Sequence, residues 1–103
     1  MEIEFEKDYL KDLYYEGKTK DKKHRFQPQV IKKYIRVIDI LDSVGQIEDL
    51  FRFHALHYEK LVGDKAGFES VRVNDQYRVE FKTTIDRDFV VICSIVDLSN
   101  HYK

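Results

Sequence analysis

The stretch from Gly67 to Phe81 reads GFESVRVNDQYRVEF, and it decides the fold. Two short runs rich in valine, tyrosine and phenylalanine flank Asn74-Asp75, a pattern that predicts a β-hairpin. A two-residue loop would place Val71 opposite Arg78 and mix apolar with polar side chains on one face. A three-residue loop over 74–76 pairs Val71 with Val79 and makes one face apolar. We therefore predict the three-residue loop, because a slip of one residue moves every side chain to the other face.

The same register puts Arg72 opposite Arg78 on the second face, with Ser70 and Glu80 as neighbours. Like charges that face each other across a sheet destabilise it by up to roughly 1 kcal/mol. Binding of a phosphate would explain why two arginines lie side by side, because the planar guanidinium matches phosphate oxygens. Alternatively, Glu80 neutralises one arginine and solvent screens the other. Both interpretations remain open at the level of sequence.

The composition describes a single domain over residues 1–103. Hydrophobic residues make up 43% of the chain and charged residues 36%. No run approaches the ~18 apolar residues of a membrane span, and the N-terminus lacks the pattern of a secretory signal. The single Cys93 lies in an apolar run, as expected of a protein in a reducing compartment. We therefore expect a cytoplasmic protein that makes no contact with membranes.

The net charge of −1 argues against bulk attraction to nucleic acid, so phosphate binding would need a local patch. Such a patch is present between Lys18 and Arg25, which read KTKDKKHR. The segment is either a solvated loop or a basic arm that contacts a polyanion or an acidic partner. The second interpretation makes Lys23 and Arg25 candidate RNA-binding residues.

The order of predicted elements gives an α+β fold. Alternation in the first five residues predicts a strand, and helical spacing follows over about 6–16, with Gly17 as terminator. Pro28 begins a long amphipathic helix that ends near Gly45, and a short third helix is expected over 46–53. A loop leads to the hairpin, and an apolar run over 89–98 predicts a central strand covered on both faces. We expect the helices on one face of a small antiparallel sheet, with Arg72 and Arg78 on the other, partly open face.

Motifs for metal or cofactor chemistry are missing from the sequence. His54 and His57 are three residues apart, but no HExxH, CxxC or carboxylate cluster accompanies them. The glycine-rich nucleotide-binding motifs are likewise missing, and a cysteine in a buried strand is a poor nucleophile. We predict no metal and no small-molecule cofactor.

A set of acid, base and anion-binding side chains remains. Its acid and base candidates are His57, Asp97, His101 and Tyr102, and Arg72 and Arg78 are candidate anion clamps. Cleavage of RNA needs little more, because the 2′-OH attacks its own phosphate. The enzyme supplies a base, an acid for the leaving oxygen and positive charge for the phosphoryl oxygens.

The second half of the chain resembles the HigB-type toxins, small members of the RelE/ParE toxin superfamily. The resemblance spans about residues 50–103. It is carried, in order, by Leu56-His57, Leu61, Gly63-Asp64, Ala66-Gly67, Ser70-Val71-Arg72-Val73-Asn74, Tyr77-Arg78-Val79, Ile95-Val96-Asp97 and the histidine at 101.

The resemblance implies a RelE-like fold with a curved, mainly antiparallel sheet. It also implies ribosome-dependent cleavage of mRNA that inhibits translation, and a cognate HigA-like antitoxin with a helix-turn-helix. By position, Arg78 would hold the scissile phosphate and Arg72 would assist it. His57 would take part in acid/base chemistry, and His101 with Tyr102 would supply the C-terminal acid/base and stacking function.

Departures from the family pattern leave further alternatives open. Val62 stands where the family often has lysine, so Lys60 or Lys65 would substitute for it. Asp97 and the tail of His101 and Tyr102 are alternative occupants of the catalytic position. Two functions besides RNA cleavage also remain: inhibition of DNA gyrase, as in the ParE group, and non-catalytic binding by a protein of RelE fold.

Overall fold

The computed structural model describes residues 1–86 and 90–100. The elements follow the predicted order. The strands are β1 (Glu2–Phe5), β2 (Glu59–Lys60), β3 (Glu69–Arg72), β4 (Arg78–Asp86) and β5 (Val90–Ser99). The helices are α1 (Asp8–Glu16) and α2 (Pro28–Ser43), followed by 3₁₀ segments at Ile47–Arg52, His54–Leu56 and Gly63–Lys65.

The five strands form one sheet in the order β1-β5-β4-β3-β2. Only the β1–β5 pair is parallel among them. An irregularity in the β4–β5 register lies between Glu80 and Phe81, and such bulges increase the local twist of a sheet. The predicted α+β fold with a mainly antiparallel sheet is confirmed.

The hairpin has the predicted register. Val71 lies opposite Val79, Arg72 lies opposite Arg78, and the backbone N–H of Val73 donates to the carbonyl of Tyr77 at 2.9 Å. The side chain of Asn74 closes the three-residue loop, because its Oδ1 accepts hydrogen bonds from the backbone N–H groups of Gln76 and Tyr77. The turn chemistry and the alternation of side chains therefore agree, and together they fix which face is apolar.

The two helices cover the apolar face of the sheet. Leu10 and Leu13 of α1 and Tyr34, Ile38 and Leu41 of α2 are fully or almost fully buried. They pack in one cluster with sheet residues that include Val71, Val79, Phe81, Cys93 and Ile95. Gly17 ends α1 in the left-handed conformation at φ 71°, with its N–H bonded to the carbonyl of Leu13. This core fixes the second face of the sheet as the place for the paired arginines.

The predicted short third helix is present as a 3₁₀ helix, Ile47–Arg52, which has poorer hydrogen-bond geometry than an α-helix. Two local predictions were wrong. The expected loop over 54–66 contains the two-residue strand β2. β5 is not covered equally on both faces, since Cys93 and Ile95 are fully buried whereas Ile92 and Ser94 are half-buried.

Candidate functional site

A cleft of about 330 Å³ lies between the basic segment and the C-terminal end of β5. The residues that line it are Lys23, His24, Arg25, Phe26, Tyr77, Asp97, Leu98, Ser99 and Asn100. It therefore brings together three residues that the sequence predicted for the site: Lys23, Arg25 and Asp97. Arg78 does not line the cleft, but Tyr77, the residue before it, does, and so does Ser99, its partner across the β4–β5 ladder.

Ring contacts hold the basic segment against the body of the protein. The His24 ring stacks on Tyr9 of α1, with ring centroids 3.6 Å apart and planes at 7°. Phe26 meets Tyr77 edge to face at 5.3 Å. His24 Nδ1 also lies 2.9 Å from Asp21 Oδ2, a hydrogen bond that lowers the pKa of the Asp21 carboxyl. Lys23 and Arg25 therefore lie on either side of a histidine that is packed against α1.

Asp97 is held from the side of α1. The Tyr9 hydroxyl donates to Asp97 Oδ1 and accepts from the backbone N–H of Leu98 at 3.3 Å. Burial raises the pKa of Tyr9, and the hydrogen bond to Asp97 raises it further. Lys7 Nζ lies 3.9 Å from the same carboxylate oxygen. Tyr9 therefore remains a proton donor to Asp97 through the physiological pH range.

Arg78 is almost buried, with 9% of its surface exposed. Its Nε donates to Ser70 Oγ at 2.9 Å, and a terminal nitrogen donates to the backbone carbonyl of His57. Glu59 Oε1 lies 3.8 Å from that same nitrogen. The expectation of a partly open face is therefore wrong at Arg78, because the segment that enters β2 covers it.

Arg72 has a different environment although it pairs with Arg78 across the ladder. It is half-exposed and forms an ion pair with Asp75 in the hairpin loop. Each arginine has its own hydrogen-bond acceptors, which offsets the repulsion expected between facing like charges. Arg72 is consequently the more accessible of the two cations.

His57 contacts Arg78 through its backbone. The residue has φ 45° and ψ 53°, in the left-handed region that non-glycine residues seldom adopt, and its side chain is exposed. This conformation is the one from which its carbonyl accepts the hydrogen bond from Arg78. The predicted imidazole role and the observed carbonyl role are separate functions of one residue.

The two candidate lysines lie at different places. Lys65 Nζ forms an ion pair at 2.7 Å with the buried carboxylate of Glu80, which neighbours Arg78 on the same face of β4. Lys60 lies opposite Glu69 on β2 and lines a separate groove, so it does not join the cleft. His101 and Tyr102 lie outside the described residues.

The described residues offer few groups for metal or thiol chemistry. Within residues 1–86 and 90–100, no three histidine, cysteine, aspartate or glutamate side chains are grouped so that they could hold a metal ion. Burial raises the pKa of the Cys93 thiol to about 12, so the thiolate is scarce at neutral pH. In the same part of the chain, no helix is long and apolar enough to cross a membrane.

The family is decided by comparison of the sequence. A family model, HigB-like toxin, described as the RelE-like toxin of the type II toxin-antitoxin system HigB, matches residues 3–98. The chain belongs to this family. The toxin is also similar to Toxin HigB-1 of Vibrio cholerae serotype O1 (strain ATCC 39315 / El Tor Inaba N16961), with 35% identity over 83 residues, 80% of this chain and 83% of the relative.

Solved structures show the same fold as the toxin. A YoeB/ParE toxin from Agrobacterium tumefaciens matches with a TM-score of 0.58 at 16% identity, over 99% of this chain and 100% of that one. A YoeB-YefM complex from Staphylococcus aureus matches with a TM-score of 0.55 at 22% identity, over 99% and 98% of the two chains. The predicted type II toxin of the RelE superfamily is confirmed, and the family match supports endoribonuclease activity.

Two residues that hold the side chains of the toxin's cleft in place could not be predicted from the sequence. Tyr9 has the spacing of a core residue in α1, and it is indeed 3% exposed, but its hydroxyl reaches Asp97. His24 lies in a polar segment without periodicity, so nothing in the sequence indicated its stack on Tyr9. Neither contact is local, since 88 residues separate Tyr9 from Asp97.

Proposed function

We propose that this toxin is a metal-independent endoribonuclease that cleaves mRNA on the ribosome in the cytoplasm and so inhibits translation. The observation that carries the proposal is the cleft, in which Lys23 and Arg25 face Asp97 at the end of β5. The cations supply a local attraction for phosphates in a chain whose net charge is −1. Binding of ribosome-bound mRNA needs such a local patch, because the whole molecule is not basic.

The proposed reaction is attack of a 2′-OH on the adjacent phosphorus. A bond forms between the 2′-oxygen and phosphorus while the bond from phosphorus to the 5′-oxygen breaks. A base removes the proton of the 2′-OH, and an acid protonates the leaving 5′-oxygen. In this proposal Arg78 holds the scissile phosphate, Arg72 assists, and positive charge stabilises the phosphoryl oxygens as the negative charge develops.

The proposed acid and base are the imidazoles of His57 and His101, with Tyr102 stacking on a base. His101 and Tyr102 follow directly in sequence after Asn100, which lines the cleft. Asp97 already accepts a hydrogen bond from a buried tyrosine, which favours a positioning role for its carboxylate over proton transfer. We therefore prefer the histidine-tyrosine tail to Asp97 as the catalytic position. Lys65 is proposed to contact RNA beside Arg78, whereas Lys60 is less favoured because of its place in the separate groove.

The proposed partners are a ribosome carrying mRNA and an antitoxin of HigA-like helix-turn-helix type. The similar Staphylococcus aureus structure is a complex of YoeB with YefM. Membership in a type II toxin family supports an antitoxin that neutralises this chain as well.

The test uses purified toxin, mRNA, and ribosomes programmed with that mRNA. We expect cleavage of mRNA only when ribosomes are present, with activity retained in EDTA. The double substitution of Lys23→Gln and Arg25→Gln should lower cleavage about tenfold or more, because two phosphate contacts are lost. Both side chains are exposed, so the fold should survive. Glu4→Gln, at an exposed residue of β1, is the matched control.

Arg78→Ala should abolish measurable cleavage, and its folding is checked by circular dichroism because Arg78 is buried. Uncut mRNA together with DNA breaks and an SOS response in expressing cells would contradict the proposal and indicate gyrase inhibition. Toxicity that persists unchanged in the double variant and in folded Arg78→Ala would contradict the assigned residues.

A further inference from the structure

A second concave surface lies away from the cleft. Two adjoining cavities of about 480 and 450 Å³ form one groove between the 3₁₀ helix Ile47–Arg52 and the sheet. The cavities share Ile47, Glu48 and Thr83, so the groove is continuous. Thr83 is five residues along β4 from Arg78, a separation of about 17 Å at the rise of a β-strand. The groove and the cleft therefore lie at opposite ends of β4.

Each of the two cavities exposes a large apolar side chain. Ile85 is 73% exposed and Phe51 is 58% exposed, and both line the groove. The Phe51 ring lies 5.7 Å from the ring of Tyr58, which forms part of the same wall. Large apolar side chains grouped in a concave surface are typical of sites that a partner covers.

A buried carboxylate lines the same cavity as Phe51 and Tyr58. Glu69 is only 8% exposed. One of its oxygens accepts from the Tyr58 hydroxyl at 2.6 Å, and the other accepts from the Thr83 hydroxyl at 2.7 Å. Both donors are neutral, and within the described residues no ion pair reaches Glu69. A buried carboxylate without a cation is costly, so the site favours a positive charge that enters from the groove.

The walls around Glu69 suit such a cation. The rings of Tyr58 and Phe68 line this part of the groove, and aromatic faces attract ammonium and guanidinium groups. Lys82 Nζ already lies 5.4 Å from the centroid of the Phe68 ring, which leaves the Tyr58 side for an incoming cation. Glu48 adds a second carboxylate at the wall that the two cavities share. Lys60 lies opposite Glu69 and lines the same cavity, but it forms no ion pair with Glu69 among the described residues.

We propose that this groove is the docking surface for an amphipathic segment of the antitoxin, with a lysine or arginine of that segment paired to Glu69. The groove combines exposed apolar side chains with the carboxylates of Glu48 and Glu69, which matches an amphipathic helix whose apolar side carries one basic residue. The proposal rests on the antitoxin partner proposed above. Glu69 pairs with Phe81, three residues or about 10 Å along β4 from Arg78. No residue that lines the groove also lines the cleft, so the segment docks without covering the cleft.

The first test measures the dissociation constant of the purified antitoxin, made from the gene beside the toxin gene, by calorimetry. Glu69→Gln keeps the shape of the side chain and removes its charge, and one of the two hydroxyls of Tyr58 and Thr83 must then turn to accept from the amide NH₂. We expect it to weaken binding about thirtyfold, as for the loss of one member of a buried charge pair. Glu4→Gln, an exposed glutamate on β1, should bind like the parent. Affinity of Glu69→Gln within twofold of the parent would overturn the pairing.

The second test avoids any risk to the core. Phe51→Ala removes an exposed ring from the groove, and Tyr15→Ala removes a similarly exposed ring from α1 as its control. We expect about a tenfold loss of antitoxin affinity for the first variant alone, as for an interface anchor. Equal affinities of both variants and the parent would overturn the proposal.

Sedimentation and cleavage measurements distinguish the antitoxin from a second copy of the toxin as the occupant. If the toxin alone forms a dimer that Phe51→Ala dissociates, a second copy occupies the groove and the proposal is wrong. Both groove variants should cleave ribosome-bound mRNA like the parent when antitoxin is omitted. Failure of the parent to cleave would count against the proposed function, whereas the antitoxin affinities and the dimer measurement decide the groove.

Discussion

At the scale of single residues, Arg78 is held in one orientation by its neighbours. Ser70, the carbonyl of His57 and the nearby carboxylate of Glu59 fix its guanidinium in one orientation. A cation that is already oriented loses little side-chain entropy when it binds a phosphate. The cost appears at His57, since a left-handed conformation is unfavourable for a residue with a Cβ atom.

His57→Gly separates the observed carbonyl contact of this residue from the acid/base role proposed for its imidazole. Glycine adopts φ 45° without strain, so the carbonyl still accepts from Arg78 while the imidazole is gone. We expect cleavage to fall by about 100-fold, as for the loss of a general acid or base, with the free energy of unfolding lowered by less than about 1 kcal/mol. Single-turnover cleavage and urea unfolding measure both. Unchanged cleavage would show that only the carbonyl of His57 matters.

Tyr9→Phe tests the buried hydrogen bonds to β5. The variant removes the donor to Asp97 and the acceptor for the N–H of Leu98. We expect the free energy of unfolding to drop by about 1–3 kcal/mol, because two polar groups lose a partner in a mostly buried site. Urea denaturation gives the value, and Tyr15→Phe at an exposed tyrosine serves as control. Equal stability of Tyr9→Phe and the parent would mean that solvent replaces the tyrosine.

At the scale of elements, the basic segment is anchored to α1, and the proposed binding of RNA depends on that anchoring. His24→Ala removes the stack on Tyr9 and the hydrogen bond to Asp21 but leaves Lys23 and Arg25 in place. Loss of such a stack costs about 1 kcal/mol and frees the two cations to move. We therefore expect a higher KM for ribosome-bound mRNA with kcat nearly unchanged. His54→Ala, at an exposed histidine outside the cleft, is the control, and a KM equal to that of the parent would refute the anchoring.

Elements were predictable from the sequence where two signals coincide. The hairpin has both turn chemistry at Asn74 and alternation of side chains, and its register is as predicted. α2 has Pro28 at its start and a continuous apolar stripe. β2 has only two residues, too few for any period, so it was missed. The 3₁₀ geometry of Ile47–Arg52 was missed because three or four apolar residues cannot distinguish it from an α-helix.

The site was predictable only in part, because its contacts join distant segments. The pairing of Arg72 with Arg78 follows from register alone. The burial of Arg78 does not, because it depends on a carbonyl 21 residues earlier in the chain. The position of Lys60 could not be predicted either, because it depends on the pairing of β2 with β3. Catalytic roles for these residues and for His101 and Tyr102 stay predictions.

The molecule as a whole should be sensitive to alkali. Burial, as the largest cause, raises the pKa of Tyr9, Tyr34 and Tyr58, and it raises that of Cys93 to about 12. A group whose pKa is raised by folding binds its proton more tightly in the folded state. Its contribution to stability is complete below the pKa of the unfolded chain and is lost as the pH rises through the folded value. For the thiol the unfolded value is 9.0 and for the tyrosines 10.0.

We therefore expect these groups to contribute a constant amount to the free energy of unfolding below about pH 9, and we expect that free energy to fall steadily above this pH. Urea denaturation at a series of pH values gives the profile, and near-ultraviolet absorbance reports when tyrosinate forms. Cys93→Ala should start from a lower stability because it leaves a small cavity, but its decline should begin later, near the tyrosine value. Since the ionised forms of Tyr9, Tyr34, Tyr58 and Cys93 must leave the protein interior, the part of the absorbance change that comes from these three tyrosines should coincide with unfolding. Complete tyrosine ionisation in a chain that remains folded would show that these side chains reach water without disrupting the core.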